Sequence, residues 1–161
     1  MSSHNCVFLV FLRHFGCVFC KESLRDLALR NTQFKDHGVE LVFVHMASVD
    51  IAEPYFEEFG VENYDHISDP KRELYQQFGL TKGSFTQLYG LQNWIRGYSL
   101  KKEGFSFELP NNGDSLQMPG IFVIFNSKIL DSYVHKLVSD KPDYDMLINC
   151  CTAPSTNYQT V

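Results

Sequence analysis

Cys17 and Cys20 are the side chains of this 161-residue sequence best placed for chemistry. They form a C-x-x-C pair just after an apolar run and at the start of a helical pattern. In that setting such a pair is redox-active or metal-binding. A four-ligand zinc site would need a second pair of ligands. Cys150 and Cys151 are adjacent and the six His are scattered, so no metal is expected. The unpaired N–H groups and dipole at a helix start favour an anion, so Cys17 is expected to be partly thiolate and to attack. Cys20, one turn further in, can reach that sulfur with less contact with solvent and is expected to resolve. Arg13 and His14 precede the pair and could hold the thiolate by charge and hydrogen bonding. Their blander roles are a surface cation and a satisfied loop histidine. Cys6, inside a strand, reads as an inert small hydrophobe. Cys150 and Cys151 read as ordinary helix positions in preference to C-terminal resolving thiols.

The elements that must position these residues follow from periodicity. Cys6 to Leu12 is a near-continuous apolar run, as expected of a central strand covered on both faces. From Cys17, the residues Cys20, Leu24, Leu27, Ala28 and Phe34 recur at helical spacing, with Glu22, Arg25, Asp26 and Arg30 on the wet side. Val39 to His45 is a second buried strand, completing a strand–helix–strand unit. A short helix over 51–59, a brief strand over 66–68 and a helix over 71–78 follow. Asp69 reads as the cap of that last helix and Arg72 as a surface ion-pair partner. Phe85, Leu88, Leu91, Trp94, Ile95 and Tyr98 again have helical spacing. That spacing assigns Trp94 to core packing, while Trp94 with Arg96 could instead wall a pocket over Cys17 or form a dimer face. Residues 101–118 read as an extended loop. Met118-Pro119 opens a strand over 121–125, since proline cannot donate to a ladder. Asn126 to Lys128 suits a hairpin loop before the partner strand 129–135, and a terminal helix covers 140–151. One sheet with helices on both faces results, as a single domain over 1–151 with a polar tail over 152–161.

Composition narrows the function classes. With 44% hydrophobic and 20% charged residues, the chain has an ordinary globular balance. The net charge of −5 supplies no basic stripe for a phosphate backbone, so no nucleic-acid partner is expected. No apolar run approaches the ~20 residues that span a bilayer, and Met1 to Asn5 lacks the cationic flank of a signal peptide. A cytoplasmic protein without a membrane partner is the expectation.

Several stretches in collinear order resemble one family. They are Phe11 to Glu22 around the C-x-x-C, Asp69 to Tyr75 with Phe78-Gly79-Leu80, Trp94 to Arg96, Gly113 to Ile124, and His135 with Asp140-Lys141-Pro142. The set is similar to the peroxiredoxin-like 2 branch of the AhpC/TSA (alkyl hydroperoxide reductase/thiol-specific antioxidant) proteins, within the thioredoxin superfamily. The resemblance covers residues 6 to about 150. It implies a thioredoxin-like α/β fold: a central mixed β-sheet flanked by helices, with a helical insertion before a strand opened by a cis proline. By position, Cys17 corresponds to the attacking cysteine, Cys20 to the second cysteine of the pair, and Pro119 to the proline facing the sulfurs. Peroxiredoxins carry P-x-x-x-T-x-x-C, whereas Val10 and His14 stand at the proline and threonine positions here.

The expectation is a thiol-disulfide oxidoreductase that cycles Cys17 and Cys20 between dithiol and disulfide and reduces a peroxide or a protein disulfide. Arg13 and His14 would assist the thiolate, and Met118, Pro119, Arg96 and Trp94 would face the substrate. A thioredoxin or glutathione system would return the electrons, no cofactor is required, and a homodimer is compatible. The alternative is a non-catalytic redox-regulated binding module on the same fold.

Overall fold

The apolar run at the start of the chain becomes the centre of a sheet. The computed structural model describes residues 5–108 and 113–151. The polar tail over 152–161, and residues 109–112 of the stretch read as an extended loop, lie outside the described residues. Every residue of β1 (Cys6–Phe11) is buried, because helices cover both faces. Alternation along the strand sends Phe8 and Val10 into one core, with Leu24, Leu27, Phe34, Phe56 and Leu147. It sends Val7, Leu9 and Phe11 into the other, with Val42, Tyr75 and Phe122. β2 (Val39–His45) pairs parallel with β1, and β3 (Asp65–Ser68) parallel with β2. On the other side β4 (Gly120–Phe125) and β5 (Lys128–Val134) add antiparallel, giving the order β3-β2-β1-β4-β5. Asn126 and Ser127 both take positive φ, the geometry that a two-residue hairpin between right-twisted strands requires.

The helices depart from expectation in informative ways. The long helix after the C-x-x-C divides into α1 (Val18–Ala28) and α2 (Asn31–Asp36), the second directing Phe34 into the core. After α3 (Val49–Glu58) and β3, the Asp69 carboxylate accepts from the N–H groups of Glu73 and Leu74 at 3.0 and 2.8 Å. It thus caps α4 (Glu73–Gln77), which starts two residues later than expected. Arg72 pairs with Asp114 at 2.6 Å. The helical insertion is split at Gly90 into α5 (Phe85–Tyr89) and α6 (Leu91–Lys102). A Cβ at Gly90 would lie 2.5 Å from the Thr86 carbonyl oxygen, so only glycine turns the chain there. α7 (Tyr144–Asn149) is shorter than expected and is capped by Asp143, whose side chain accepts from the Met146 N–H.

Three expectations are corrected. The described peptides are all trans, including Met118–Pro119, so the strand is not opened by a cis proline. Cys6 is not an inert hydrophobe and Cys151 is not an ordinary helix position: they form a disulfide with Cα atoms 5.8 Å apart. Glu22 and Asp26 are buried, because α6 and residues 139–141 cover the side of α1 that the pattern left wet. Arg96 grips both oxygens of Glu22 at 2.7 and 2.8 Å, and Lys141 reaches Asp26 at 2.6 Å. Such pairing is what allows carboxylates to be buried.

Candidate active site

The turn from β1 into α1 delivers both sulfurs. Cys17 is the N-cap of α1, with its N–H bonded to the His14 carbonyl at 3.1 Å and its own carbonyl accepting from Lys21 at 3.0 Å. Cys20, one turn on, accepts from the Arg13 N–H at 3.4 Å. Both are free thiols. The expected contrast in solvent contact is absent, since Cys17 is 2% and Cys20 4% exposed. Their acidities nevertheless diverge. A hydrogen bond from the Cys20 thiol brings Cys17 down from 9.0 to about 6; burial opposes it, while the Arg13 charge and the N–H groups of Cys20 and Phe19 assist. Cys20 is pushed well above 9.0, because it donates to Cys17, is buried, and sits beside the charge that Cys17 develops. Two thiols driven apart in this way are suited to an attacking and a resolving role.

Arg13 and Cys17 line a cavity of about 620 Å³ whose other walls are largely apolar, including Phe19, Leu88, Trp94, Tyr98, Phe105 and Val138. Arg13 is buried, and its Nε has no hydrogen-bond partner among the described residues. His14 is buried beside it, and neither ring nitrogen is bonded; burial and then the Arg13 charge hold it at about 4, so it is neutral at pH 7. Trp94 is not core: it is 68% exposed and lines the cavity, because Asn93 and Leu100 occupy the buried face of α6. Arg96 is committed to Glu22 and to the Ser139 carbonyl, with its guanidinium over the Phe19 ring. Met118 is buried in the core away from the cavity wall, and Pro119 shares a second, water-sized cavity with Cys20 and His135.

Sequence reasoning missed the segment 105–108, which forms one side of the cavity. Buried Lys21 of α1 ion-pairs with Glu108 and bonds the Ser106 carbonyl at 3.2 Å, while Tyr55 donates to Glu108 at 2.8 Å. The Glu108 N–H bonds the Gly16 carbonyl at 3.1 Å, and a Cβ on Gly16 would lie 2.5 Å from the Glu108 carbonyl oxygen. The one available signal was Gly16 itself, whose missing side chain marks a close backbone approach.

Residues 26–136 match the sequence profile of the AhpC/TSA antioxidant enzyme family, a span that begins beyond Cys20. Human peroxiredoxin-like 2C is 34% identical over 76 residues, which are 47% of this chain and 33% of that protein. The prostamide/prostaglandin F synthase of Sus scrofa is 28% identical over 133 residues, 80% of this chain and 65% of that one. The chain thus spans about a third of the length of the first relative and just under two thirds of the second. Among solved structures, the peroxidoxin BcpB of Mycobacterium tuberculosis superposes with a TM-score of 0.65 at 17% identity, covering 94% of this chain and 80% of that one. The strand order and the matched span agree, and the chain belongs to the AhpC/TSA antioxidant enzyme family, with a peroxiredoxin-like, thioredoxin-type fold.

Proposed function

We propose that this chain is a thiol peroxidase that cycles Cys17 and Cys20 between dithiol and disulfide while reducing the O–O bond of an apolar organic peroxide. The observation that carries the reading is the Cys17 sulfur, favoured as a thiolate, in the wall of a largely apolar cavity large enough for a lipid-sized chain. The Cys17 thiolate attacks the terminal peroxide oxygen and the O–O bond breaks. The alkoxide leaves and takes a proton to become the alcohol, and Cys17 becomes a sulfenic acid. Cys20 then attacks that sulfur and gives up its proton, water departs, and a disulfide is left, the two electrons lost by the thiols having gone to the peroxide oxygens. Arg13, with its buried and unpaired Nε, supports the thiolate and the developing alkoxide by its charge. One dithiol of the thioredoxin type, or two glutathione molecules, supply two electrons and restore both thiols, and no cofactor is needed. The prostaglandin synthase relative, named for a lipid product, supports an apolar substrate. The histidine at the usual threonine position weighs against small peroxides, since His14 is buried and neutral.

Stopped-flow oxidation of the reduced protein tests this, with cumene hydroperoxide, hydrogen peroxide and insulin disulfide in parallel. The expected order is cumene hydroperoxide well ahead of the other two, with Cys17→Ser inactive and a Cys17–Cys20 link found by mass spectrometry. Faster reaction with insulin would make the chain a protein disulfide reductase. A reversible disulfide without turnover of any substrate would make it a redox-regulated binding module. A Cys17–Cys150 link would move the resolving role.

A further inference from the structure

α6 is built inside out. Its inward residues are Asn93, which bonds the Gln87 carbonyl at 2.8 Å, Gly97, against the Phe19 ring, and Leu100. Its large apolar residues, Leu91, Trp94, Ile95 and Tyr98, recur at i, i+3, i+4 and i+7 and all face solvent, Leu91 being 77% exposed. Phe85 of α5 is likewise 77% exposed and packs against Tyr89, which lines the same cavity as Trp94. A monomeric soluble protein seldom leaves such a stripe uncovered.

Charge identifies the cover. From Leu74 to Lys102 the chain has no Asp or Glu and four cations, although the whole chain carries −5. Arg96 is taken by Glu22 and Lys82 by Asp114. Glu103, the next acid along, turns to Arg25. Lys101 and Lys102 in the last turn of α6 are therefore left without an acidic partner among the described residues. The Lys102 ammonium lies 4.8 Å from the centre of the Tyr98 ring. Tryptophan and tyrosine with an apolar body and a polar tip, beside lysines that face no acid, are the composition of a helix lying at a membrane–water interface. Among the described residues no helix is long and apolar enough to cross a membrane. The expectation of no membrane partner rested on the lack of a spanning run, which an interfacial helix does not need.

We propose that the exposed face of α5 and α6 docks on an anionic lipid surface. Trp94 and Tyr98 belong both to this face and to the cavity that holds Cys17, so docking would set the cavity against the lipid. The docking itself does not rest on the peroxidase reading, and Cys17→Ser protein should dock as well as the wild type.

Trp94 is the only tryptophan of the chain and reports directly. Its emission is to be followed as phosphatidylcholine vesicles containing 30% phosphatidylserine are titrated into the full chain, with pure phosphatidylcholine vesicles as control. The expected result is a blue shift with the anionic vesicles, quenched by brominated lipid and strongly reduced in 0.5 M salt. Lys102→Ala should weaken partitioning about five-fold. Leu91→Glu and Ile95→Glu should each weaken it at least ten-fold. Both sites are exposed, and a glutamate at the first position of α6 suits the helix dipole, so folding is expected to survive and far-UV circular dichroism checks it. No blue shift with either vesicle, or equal shifts insensitive to salt, overturns the proposal. So does a sedimentation dimer that Ile95→Glu dissociates, because a second copy would then cover the stripe.

Discussion

The hydrogen bond from Cys20 to Cys17 is the largest influence on the acidity of the Cys17 sulfur, and Cys20→Ala removes it while leaving the burial and Arg13 in place. A hydrogen bond to a charged group is worth about 1.5–3 kcal/mol, and 1.36 kcal/mol corresponds to one pH unit. Cys17 should therefore rise from about 6 to roughly 7–8 in Cys20→Ala. Near pH 7 the thiolate fraction should fall from about nine-tenths to between a half and a tenth. Cys20→Ser keeps a donor and should show less than half that rise. Thiolate absorbance at 240 nm measures this without a reagent having to reach a buried sulfur, and a Cys150→Ser background removes the other free thiol outside the pair. The sign carries over to stability. Cys17, depressed on folding, contributes stability that is complete above the unfolded value near 9 and lost as pH falls through about 6. Cys20, raised on folding, contributes stability that is complete below 9 and lost at higher pH. Reduced protein should thus be most stable near pH 9. An unchanged Cys17 midpoint in Cys20→Ala, or a wild-type midpoint near 9, would refute the reasoning.

Acid should act through the buried imidazoles. Burial, the largest cause in each case, holds His14, His45 and His135 at about 4. Their contribution is present above 6.5 and lost as pH falls to 4, so urea midpoints near pH 5 should follow a slope approaching three protons; a slope below one proton would contradict this. Cys151→Ser opens a disulfide that closes 145 residues of separation and should cost about 2–5 kcal/mol in urea unfolding; a loss under ~0.5 kcal/mol would show that the bridge does not constrain the unfolded chain. Gly16→Ala should push Glu108 away, costing about 1–3 kcal/mol and weakening the binding of an apolar dye to the cavity; unchanged dye affinity would detach the 105–108 segment from the site.

Local signals carried much of the fold. The unbroken run of β1, the alternation-free β2, the glycine that ends α4 and the Asn126-Ser127 turn were legible because each is decided by near neighbours. Cys17 at a helix start was legible for the same reason. What escaped depends on residues distant in sequence. Glu22 and Asp26 look wet on a helical wheel, and only the arrival of Arg96 and Lys141 makes their burial tolerable. The stripe of α6 has the spacing of a core face, but the core beneath it is already filled by α1 and reached through Asn93, Gly97 and Leu100. Cys6 and Cys151 meet because β1 starts where α7 ends, a fact of topology that cysteine spacing does not encode.

That meeting makes the chain between the two sulfurs a covalent ring. A cut in any loop of the ring would leave the fragments joined until a reductant is added, so a gel run without thiol should miss the nick. The 5.8 Å between the two Cα atoms is also short enough for a linker of a few residues. A permuted gene could join those points and open the ring elsewhere, for instance at the Asn126-Ser127 turn, and still specify the same sheet.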